Sequence, residues 1–320
     1  MSSPIVRVDK SGKVPVYTAR KILSDQELKK YEGKFLEEKD FKIILNSDAD
    51  VYDEEGKLIL KFRKNVLPQR HVDQAYESIK EFIKHSSTDR GIASGSNKGL
   101  GTGQKKPVMS NIMGYFDRWS ISLRASFKRA GMKPPTRCRI TSFTSRFPEK
   151  WENVVPLIQD IDAQYKRLVP KAYANQRKAA DSVKFKIPNT SFSTVTTNLN
   201  FRTAAHHDSG DWDEGFGNLV VIERGSKYGG AYTGFPQYGV AVDCRQGDFL
   251  AMDVGRLHGN CPMIPGDDTS QRISLVCYLR KKIVEKCQGE KLYDPVALQK
   301  QIQRRMTRKI GKKARTSLDF

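Results

Sequence analysis

Cysteine is scarce in this sequence, and its five cysteines are widely scattered. They are Cys138, Cys244, Cys261, Cys277 and Cys287. No two of them form a Cys-x-x-Cys pair, so the usual zinc-ligand and thioredoxin-type spacings are excluded. An odd, scattered set is typical of a reducing compartment. We therefore predict an intracellular protein and do not expect structural disulfides.

Long apolar runs are missing as well. No stretch approaches the roughly 20 apolar residues that cross a bilayer, and the N-terminus lacks the apolar run of a signal peptide. The Gly- and Lys-rich stretch 91–106 does not match a phosphate-binding GxGxxG or P-loop pattern, so we interpret it as a mobile loop. We expect a monomer without a membrane partner, located in the nucleus or, for a viral protein, in the host-cell cytoplasm.

Acidic residues are few relative to basic ones. The chain has 56 Lys and Arg against 36 Asp and Glu, a formal net charge of +20. From Arg280 to Phe320 there are 13 basic and 4 acidic residues, a net charge of +9. Such a balance favours nucleic-acid phosphates as partners. For the C-terminal segment, a basic helix on DNA or RNA and a solvated flexible tail are equal alternatives.

Histidine is rare too, with five in the chain, yet two histidines complete a metal-ligand pattern. His206 and Asp208 are separated by one residue, so on a strand their side chains point to the same face. His258 would join them from another strand. Two imidazoles and one carboxylate leave three positions open on a metal ion, as in non-haem Fe(II) oxygenases. We therefore predict that His206, Asp208 and His258 hold Fe(II) and form the catalytic centre.

The pattern continues with a predicted clamp for a co-substrate. Arg272 follows His258 by 14 residues, enough for a turn and a return strand, and Ser274 shares its strand face. The open metal positions suit a chelating 2-oxo acid and O2, and a guanidinium matches the acid's far carboxylate bidentately. Each part alone is weak, because a lone histidine is more often a core or surface residue. The ordered set in a strand-rich region carries the prediction.

Short strands surround these residues. The stretches that predict strands are 192–201, 219–222, 239–243, 249–253 and 273–279. They are rich in β-branched and aromatic residues and are separated by Gly-containing turns, which is typical of a sandwich or jelly roll. Helical spacing at 153–176 predicts a supporting helical layer.

The fold class that follows is α+β, with a double-stranded β-helix (jelly-roll, cupin-like) core flanked by helices. We expect three segments: a mixed N-terminal elaboration at 1–108, the dioxygenase core with its helical layer at 109–282, and a basic helical or flexible C-terminal tail at 283–320. One oxygenase domain with an elaboration is favoured over two independent domains at this length.

Several segments carry a resemblance to a known family. They are 114–118, 138–141, 203–211, 228–230, 247–248 and 258–260, within a stretch from about Met109 to Leu279. These segments resemble the TET/JBP family of 2-oxoglutarate- and Fe(II)-dependent nucleobase dioxygenases, above all its compact viral, phage and algal members. The resemblance implies that Arg272 and Ser274 hold the C5 carboxylate of 2-oxoglutarate. It also implies a second basic group, Arg202, near the co-substrate or the metal-side strand.

The resemblance further implies contacts to the substrate base. Asp211 falls where family members place an Asp or Asn against the Watson–Crick edge, and a carboxylate there accepts a hydrogen bond from cytosine N4. Asn111 is another candidate, with Asn198 and Asn200 as alternatives that fit strand ends equally well.

Two more residues are assigned to the substrate side. Arg280 stands where several family members place a histidine, and its guanidinium plane suits a base or a phosphate. Trp212 fits either the substrate mouth or simple packing.

Together these features predict an enzyme that acts on a base flipped out of duplex DNA. It would oxidise 5-methylcytosine to 5-hydroxymethylcytosine, and further if oxidation continues, with succinate and CO2 as co-products. Thymine is the second choice, since its O4 offers no amino donor to Asp211. RNA as a substrate, a Lys or Pro side-chain hydroxylase, and a non-catalytic nucleic-acid-binding jelly roll are the alternatives.

Overall fold

The computed structural model describes residues 3–84, 86–87, 91–95 and 108–316. The strands are β1 (Ile5–Asp9), β2 (Val16–Ala19), β3 (Ile43–Leu45), β4 (Ala49–Asp53), β5 (Leu58–Arg63), β6 (Ser86–Ser87), β7 (Val108–Phe116), β8 (Arg139–Ile140), β9 (Thr194–Leu199), β10 (Gly217–Arg224), β11 (Tyr228–Gly230), β12 (Thr233–Phe235), β13 (Val240–Val242), β14 (Phe249–Met252), β15 (Gly259–Asn260), β16 (Met263–Pro265) and β17 (Gln271–Tyr278). The helices are α1 (Asp25–Tyr31), α2 (Gln69–Ile79), α3 (Ile121–Ala130), α4 (Ser142–Arg146), α5 (Pro148–Leu168), α6 (Pro170–Asp181), α7 (Lys281–Lys286) and α8 (Pro295–Thr316).

A large sheet forms the centre of the fold. Its strand order is β1-β2-β4-β5-β14-β10-β17-β9-β7-β6, and β8 also pairs with β7. A second sheet has the order β15-β12-β13-β3, and β11 pairs with β16. Many neighbouring strands are distant in sequence, as in a jelly roll. The two sheets and their helices form the α+β architecture that the sequence predicts.

The N-terminal strands extend both sheets. In the large sheet, β5 pairs antiparallel with β14, with Leu60 opposite Met252. In the second sheet, β3 runs parallel to β13, with Ile43 opposite Val240. Apolar side chains from both parts of the chain share one core, in which Leu60 and Val240 pack together with Phe235. The N-terminal segment is therefore continuous with the jelly roll.

The two faces of strand β17 carry different side chains, apolar on one face and including Arg272 and Ser274 on the other. Ile273, Leu275 and Cys277 are fully buried in the core shared with α2 and α5. Successive side chains of a strand point to opposite faces, so Arg272 and Ser274 point to the other side, between the sheets. The strand thus supports the core with one face and supplies polar groups with the other.

The predicted helical layer forms two helices, α5 and α6. Pro148 and Pro170 occupy their first turns, where the missing N–H of proline would have no intrahelical partner anyway. Asp162 of α5 accepts hydrogen bonds from the backbone N–H and the hydroxyl of Ser191, both at 2.7 Å. Burial raises the pKa of Asp162. These bonds attach the helical layer to the segment before β9.

The expectation that the chain forms no structural disulfide is wrong. Cys138, beside β8, and Cys287, at the end of α7, are joined by a disulfide across 149 residues of sequence. Both are fully buried, in a cluster with Phe185 and Ile283. Cysteine spacing in the sequence could not show this pair, because only the packing of α7 brings the two thiols together.

The predicted mobile loop at 91–106 falls mostly outside the described residues. Within it, Gly91–Ser94 forms a 3-10 turn. The C-terminal segment forms helix α8, which packs on α3. Among the helices of the described ranges, none has the length and apolarity needed to cross a bilayer.

Candidate metal and co-substrate site

A short backbone bridge brings the two predicted histidine ligands together. The backbone N–H of His206 donates to the carbonyl of His258 at 2.9 Å, and the reverse bond measures 3.0 Å. The backbone N–H of Asp208 donates to the carbonyl of Val254 at 3.1 Å. Two chain segments about 50 residues apart in sequence are thus held side by side.

The side chains of His206, Asp208 and His258 converge. One ligand atom from each lies within 4.8 Å of the others. Nε2 of His206 is 3.3 Å from Oδ1 of Asp208, and Nε2 of His258 is 3.5 Å from Oδ2 of the same carboxylate. The adjacent His207 is exposed and bonds through Nδ1 to the carbonyl of Gly255, so it does not join the cluster.

The other nitrogen of each ring has a fixed partner. Nδ1 of His206 lies 2.8 Å from the carbonyl oxygen of Ala204, and Nδ1 of His258 lies 2.9 Å from that of Arg256. A carbonyl oxygen only accepts, so Nδ1 must carry the proton and Nε2 keeps its lone pair for a metal. This backbone arrangement selects the tautomer that a metal ligand needs.

The carboxylate is held in its ionised form. Burial raises the pKa of Asp208, but His206 and His258, when their rings are protonated on both nitrogens, outweigh it and hold that pKa well below its usual range. Two imidazole nitrogens and one carboxylate are a donor set that suits Fe(II). The residues present therefore fit the predicted metal.

Arg272 is a buried cation with unmatched donors. Its residue exposure is 4%, and its Nε and Nη2 have no hydrogen-bond partner within the described structure. An unpaired buried guanidinium is costly, so a ligand anion is expected beside it. A carboxylate matches this fork. Ser274, also buried, lies on the same face of β17 and accepts a hydrogen bond from Nδ2 of Asn198 at 3.4 Å.

Two further polar groups were not singled out as co-substrate contacts from the sequence. The hydroxyl of Tyr228 and Oδ1 of Asn198 are both buried without a hydrogen-bond partner in the described residues. Burial raises the pKa of Tyr228, and the charge of Arg272 opposes that rise. Asn198 lies opposite Ser274 in the β9–β17 register. The Tyr228-Gly229-Gly230 segment belonged to the family resemblance but pointed to no particular role.

The structure gives Arg202 different partners from those expected. Its guanidinium donates at 2.6 Å to the carbonyl of Leu36 and at 2.6 Å to the carboxylate of Glu37. It also lies over the ring of Phe35, 5.0 Å from the centroid. These contacts hold the N-terminal segment against the core, and a role of Arg202 near the co-substrate stays a prediction. The N-terminal segment is remote in sequence, so no local pattern could reveal it.

Asp211 and Arg280, the expected base contacts, form contacts within the protein, and their contact with a base stays a prediction. Arg280 donates to both carboxylate oxygens of Asp117, and its Nη1 lies 3.8 Å from Oδ1 of Asp211. Only 12% of the Arg280 side chain and 10% of the Asp211 side chain are exposed. Burial and the neighbouring Asp208 raise the pKa of Asp211 well above its usual range. Both predicted substrate groups are thus engaged within the protein.

The remaining substrate candidates, Trp212 and Asn111, are half-buried. Trp212 contacts the cluster of Ala180, Leu279 and Val284, although its indole N–H is buried without a partner. Asn111 shares its strand face with Met113, which packs in the helix-side core. That face is opposite to the one that carries Ser274. Trp212 is thus packed against this cluster, Asn111 lies on the face of β7 away from Ser274, and base contacts by either residue stay predictions.

Asn200, an alternative base contact, serves a strand end. Its Oδ1 accepts from the backbone N–H of Arg272 at 2.7 Å, and its Nδ2 donates to the carbonyl of Ser270 at 3.0 Å. It also adopts a positive φ of 46°, a conformation that asparagine tolerates better than most residues. Asn200 therefore sets the start of β17 and the position of Arg272.

A jelly roll with a His-x-Asp and distal His cluster, together with a buried unpaired arginine, defines the class of Fe(II)- and 2-oxoglutarate-dependent oxygenases. Residues 126–281 match the family Tet_JBP, described as the oxygenase domain of the 2OGFeDO superfamily. The resemblance to the TET/JBP family is therefore confirmed for this part of the chain. The predicted set of Fe(II), 2-oxoglutarate and O2 is confirmed as the set this superfamily uses.

Individual relatives agree with this assignment. The thymine dioxygenase JBP1-A of Trypanosoma cruzi is 36% identical over 180 residues, which cover 55% of this chain and 20% of that protein. The bifunctional helicase and thymine dioxygenase JBP2 of Trypanosoma brucei brucei is 31% identical over 254 residues, which cover 78% and 21%. The chain thus spans about a fifth of the length of these curated relatives.

A solved structure supports the fold. The structure described as NgTET1 in complex with 5mC DNA aligns with a TM-score of 0.55 at 15% identity. The alignment covers 92% of this chain and 91% of that one. The predicted α+β fold with a jelly-roll core is confirmed by this likeness.

Proposed function

We propose that the chain is a 2-oxoglutarate- and Fe(II)-dependent dioxygenase that oxidises the 5-methyl group of a pyrimidine base in DNA. The observation that carries the proposal is the convergent cluster of His206, Asp208 and His258 inside a Tet_JBP domain. The relatives named as thymine dioxygenases support the pyrimidine methyl group as the target.

The chain's own residues would divide the work as follows. His206, Asp208 and His258 would hold Fe(II), and the carbonyls of Ala204 and Arg256 keep the two rings oriented. Arg272 would bind the far carboxylate of 2-oxoglutarate, with Ser274 beside it. Fe(II) with 2-oxoglutarate and O2 would supply oxidative decarboxylation, in which CO2 is released, one oxygen atom of O2 enters succinate and the other is transferred to the substrate methyl group. The base would enter by flipping, because a stacked methyl group cannot reach a buried site.

Thymine is our first candidate base and 5-methylcytosine the second. The preference for cytosine depended on an Asp211 carboxylate free to accept from N4. In the structure that carboxylate is buried beside Arg280 and Asp117, which removes the reason for preferring cytosine. The relatives of 31–36% identity carry the name thymine dioxygenase.

The test is mass spectrometry of nucleosides from DNA that contains both thymine and 5-methylcytosine. The protein is incubated with Fe(II) and 2-oxoglutarate, and the digested DNA is searched for 5-hydroxymethyluracil and 5-hydroxymethylcytosine nucleosides. We expect the thymine product, with succinate formed in equal amount. If only 5-hydroxymethylcytosine were formed, 5-methylcytosine would replace thymine as the first candidate substrate.

Two controls define the outcome. The Asp208→Ala variant and a sample with excess chelator should form neither product. Succinate formation without any oxidised base would refute the assignment to DNA pyrimidines while leaving the oxygenase assignment in place. RNA and Lys- or Pro-containing peptides would then be tested as substrates.

A further inference from the structure

Helices α3 and α8 pack together at one end of the fold. Phe127 of α3 and Ile302 of α8 are buried in one cluster with Trp119, and Leu298 and Met306 of α8 pack against it. The apolar side of α8 is therefore covered, and the other described side chains of this helix, up to Gly311, are mostly exposed.

The exposed sides of this helix pair carry charge of only one sign. Neither Ile121–Ala130 nor Pro295–Thr316 contains an aspartate or a glutamate. Exposed basic side chains are Arg124, Lys128 and Arg129 on α3, and Lys300, Arg304, Arg305, Arg308 and Lys309 on α8. In the part of the chain that the structure describes, these side chains form no ion pair, whereas many basic residues elsewhere do.

The basic residues of α8 follow one stripe. Lys300, Arg304 and Arg308 are spaced by four residues, and they line an open surface depression together with Gln303 and Thr307. A four-residue step on a helix advances about 6 Å on one face. From Lys300 to Arg308 the stripe therefore extends about 12 Å along the helix axis.

We propose that the α3–α8 pair is a docking surface for the phosphate backbone of duplex DNA, separate from the candidate metal and co-substrate site. Unpaired cations in a row exchange condensed counterions for phosphates and so bind any sequence. The surface would hold the duplex while a base is searched for and flipped. The choice of DNA over RNA rests on the proposed function, whereas the phosphate-binding role does not.

An anionic membrane fits this surface less well. A helix that lies on a bilayer inserts an apolar face between the headgroups, and that face of α8 is already packed on α3. The exposed apolar residues Val296 and Ile310 are about 21 Å apart along the helix, so they do not form such a face. The surface can therefore attract a partner only through its positive charge, and the regular row of phosphates in a DNA backbone provides the matching negative charge.

The surface is connected to the candidate active site by a short stretch of chain. Helix α3 begins four residues after Asp117, whose carboxylate holds Arg280 beside Asp211. Asp211 in turn donates its backbone N–H to the carbonyl of Asp208 at 3.2 Å. Helix α3 is thus connected, through Asp117, Arg280 and Asp211, to the loop that carries Asp208.

The experiment measures binding of a G·C duplex of about two helical turns, which contains neither thymine nor 5-methylcytosine, in the presence of chelator. The test variant is Arg304→Glu/Arg308→Glu, at two exposed positions. We expect its dissociation constant to rise at least about tenfold near 0.1 M salt, because two attractive contacts become repulsive. The slope of log K against log salt should fall by about 2.

The matched control is Lys171→Glu/Lys178→Glu, which makes the same change of net charge at two exposed positions of α6. It should bind the duplex within about twofold of the unaltered protein if local contacts dominate. Equal weakening in both variants would mean that only net charge matters and would overturn the docking surface. Unchanged binding in the α8 variant would overturn it as well. The neutral variant Arg304→Gln/Arg308→Gln should lose less affinity for the duplex than the charge-reversal variant. A graded loss of this kind would show that charge, and not misfolding, causes the weaker binding.

Two further arms separate the possible partners and the two proposals. If the α8 variant lost affinity for vesicles of anionic phospholipid but not for the duplex, the surface would belong to a membrane and the proposal would fall. Because the G·C duplex carries no target methyl group, this test is independent of catalysis. Absence of any oxidised base with intact duplex binding would therefore refute the proposed function and leave the docking surface standing.

Discussion

Arg280 donates two parallel hydrogen bonds to the carboxylate of Asp117, from Nε to Oδ1 at 3.1 Å and from Nη2 to Oδ2 at 3.2 Å. The carboxylate of Asp117 is fully buried, and 12% of the Arg280 side chain is exposed. The guanidinium also lies over the ring of Phe116 and near Asp211. This contact joins the end of β7 to the end of β17, next to the loop that carries Asp208.

Breaking this pair should destabilise the fold. We predict that Arg280→Ala or Asp117→Ala lowers the free energy of unfolding by about 3–5 kcal/mol, because each leaves an uncompensated buried charge. The double variant should lose clearly less than the sum of the two single losses. Urea unfolding of all three variants measures this. The exposed pair of Arg177 and Asp181 is the control, and Arg177→Ala should cost less than about 1 kcal/mol. Additive losses would show that Arg280 and Asp117 do not act as a pair.

The cluster of His206, Asp208 and His258 can be tested by metal binding alone, without a substrate. We predict that Asp208→Ala lowers affinity for Fe(II) more than about 100-fold, since losing even an outer partner of a ligand costs about 10–100-fold. Anoxic equilibrium dialysis with Fe(II) measures the loss. His207→Ala is the matched control, because His207 is exposed and bonds to Gly255. Loss of metal in His207→Ala and retention in Asp208→Ala would contradict the assignment.

Arg272 should determine the affinity for 2-oxoglutarate. We predict that Arg272→Met raises the KM for 2-oxoglutarate about 10- to 100-fold, because a charge-assisted hydrogen bond contributes about 1.5–3 kcal/mol. Succinate formation at a series of co-substrate concentrations measures the change. Arg224→Met is the control, since Arg224 already pairs with Asp73 and Gln246. A KM that stays constant in Arg272→Met would place the dicarboxylate elsewhere.

The disulfide can be tested by counting thiols. With the disulfide formed, alkylation under denaturing, non-reducing conditions should modify three cysteines, namely Cys244, Cys261 and Cys277. After reduction all five should react. Intact mass spectrometry gives both numbers. Five modified cysteines before reduction would show that Cys138 and Cys287 are free thiols in the purified protein.

Much of the candidate site follows from local sequence. One residue between His206 and Asp208, and one between Arg272 and Ser274, place each pair on a common side when the chain is extended. Short runs rich in β-branched and aromatic residues predicted strands near β9, β10, β14 and β17, and apolar helical spacing predicted α5 and α6. These patterns can be recognised in a single sequence because the backbone geometry of strands and helices repeats every two to four residues.

What only the tertiary structure decided are the partners of the polar side chains. Arg202 bonds to Glu37, Arg280 to Asp117, and Cys138 to Cys287, across separations that carry no periodic signal. A buried charge takes the counter-charge that packing brings near, since leaving it unpaired costs several kcal/mol. Residue type and spacing therefore indicated the candidate groups for a metal and for a dicarboxylate. The three-dimensional packing determined which of the remaining groups are left free to meet a substrate.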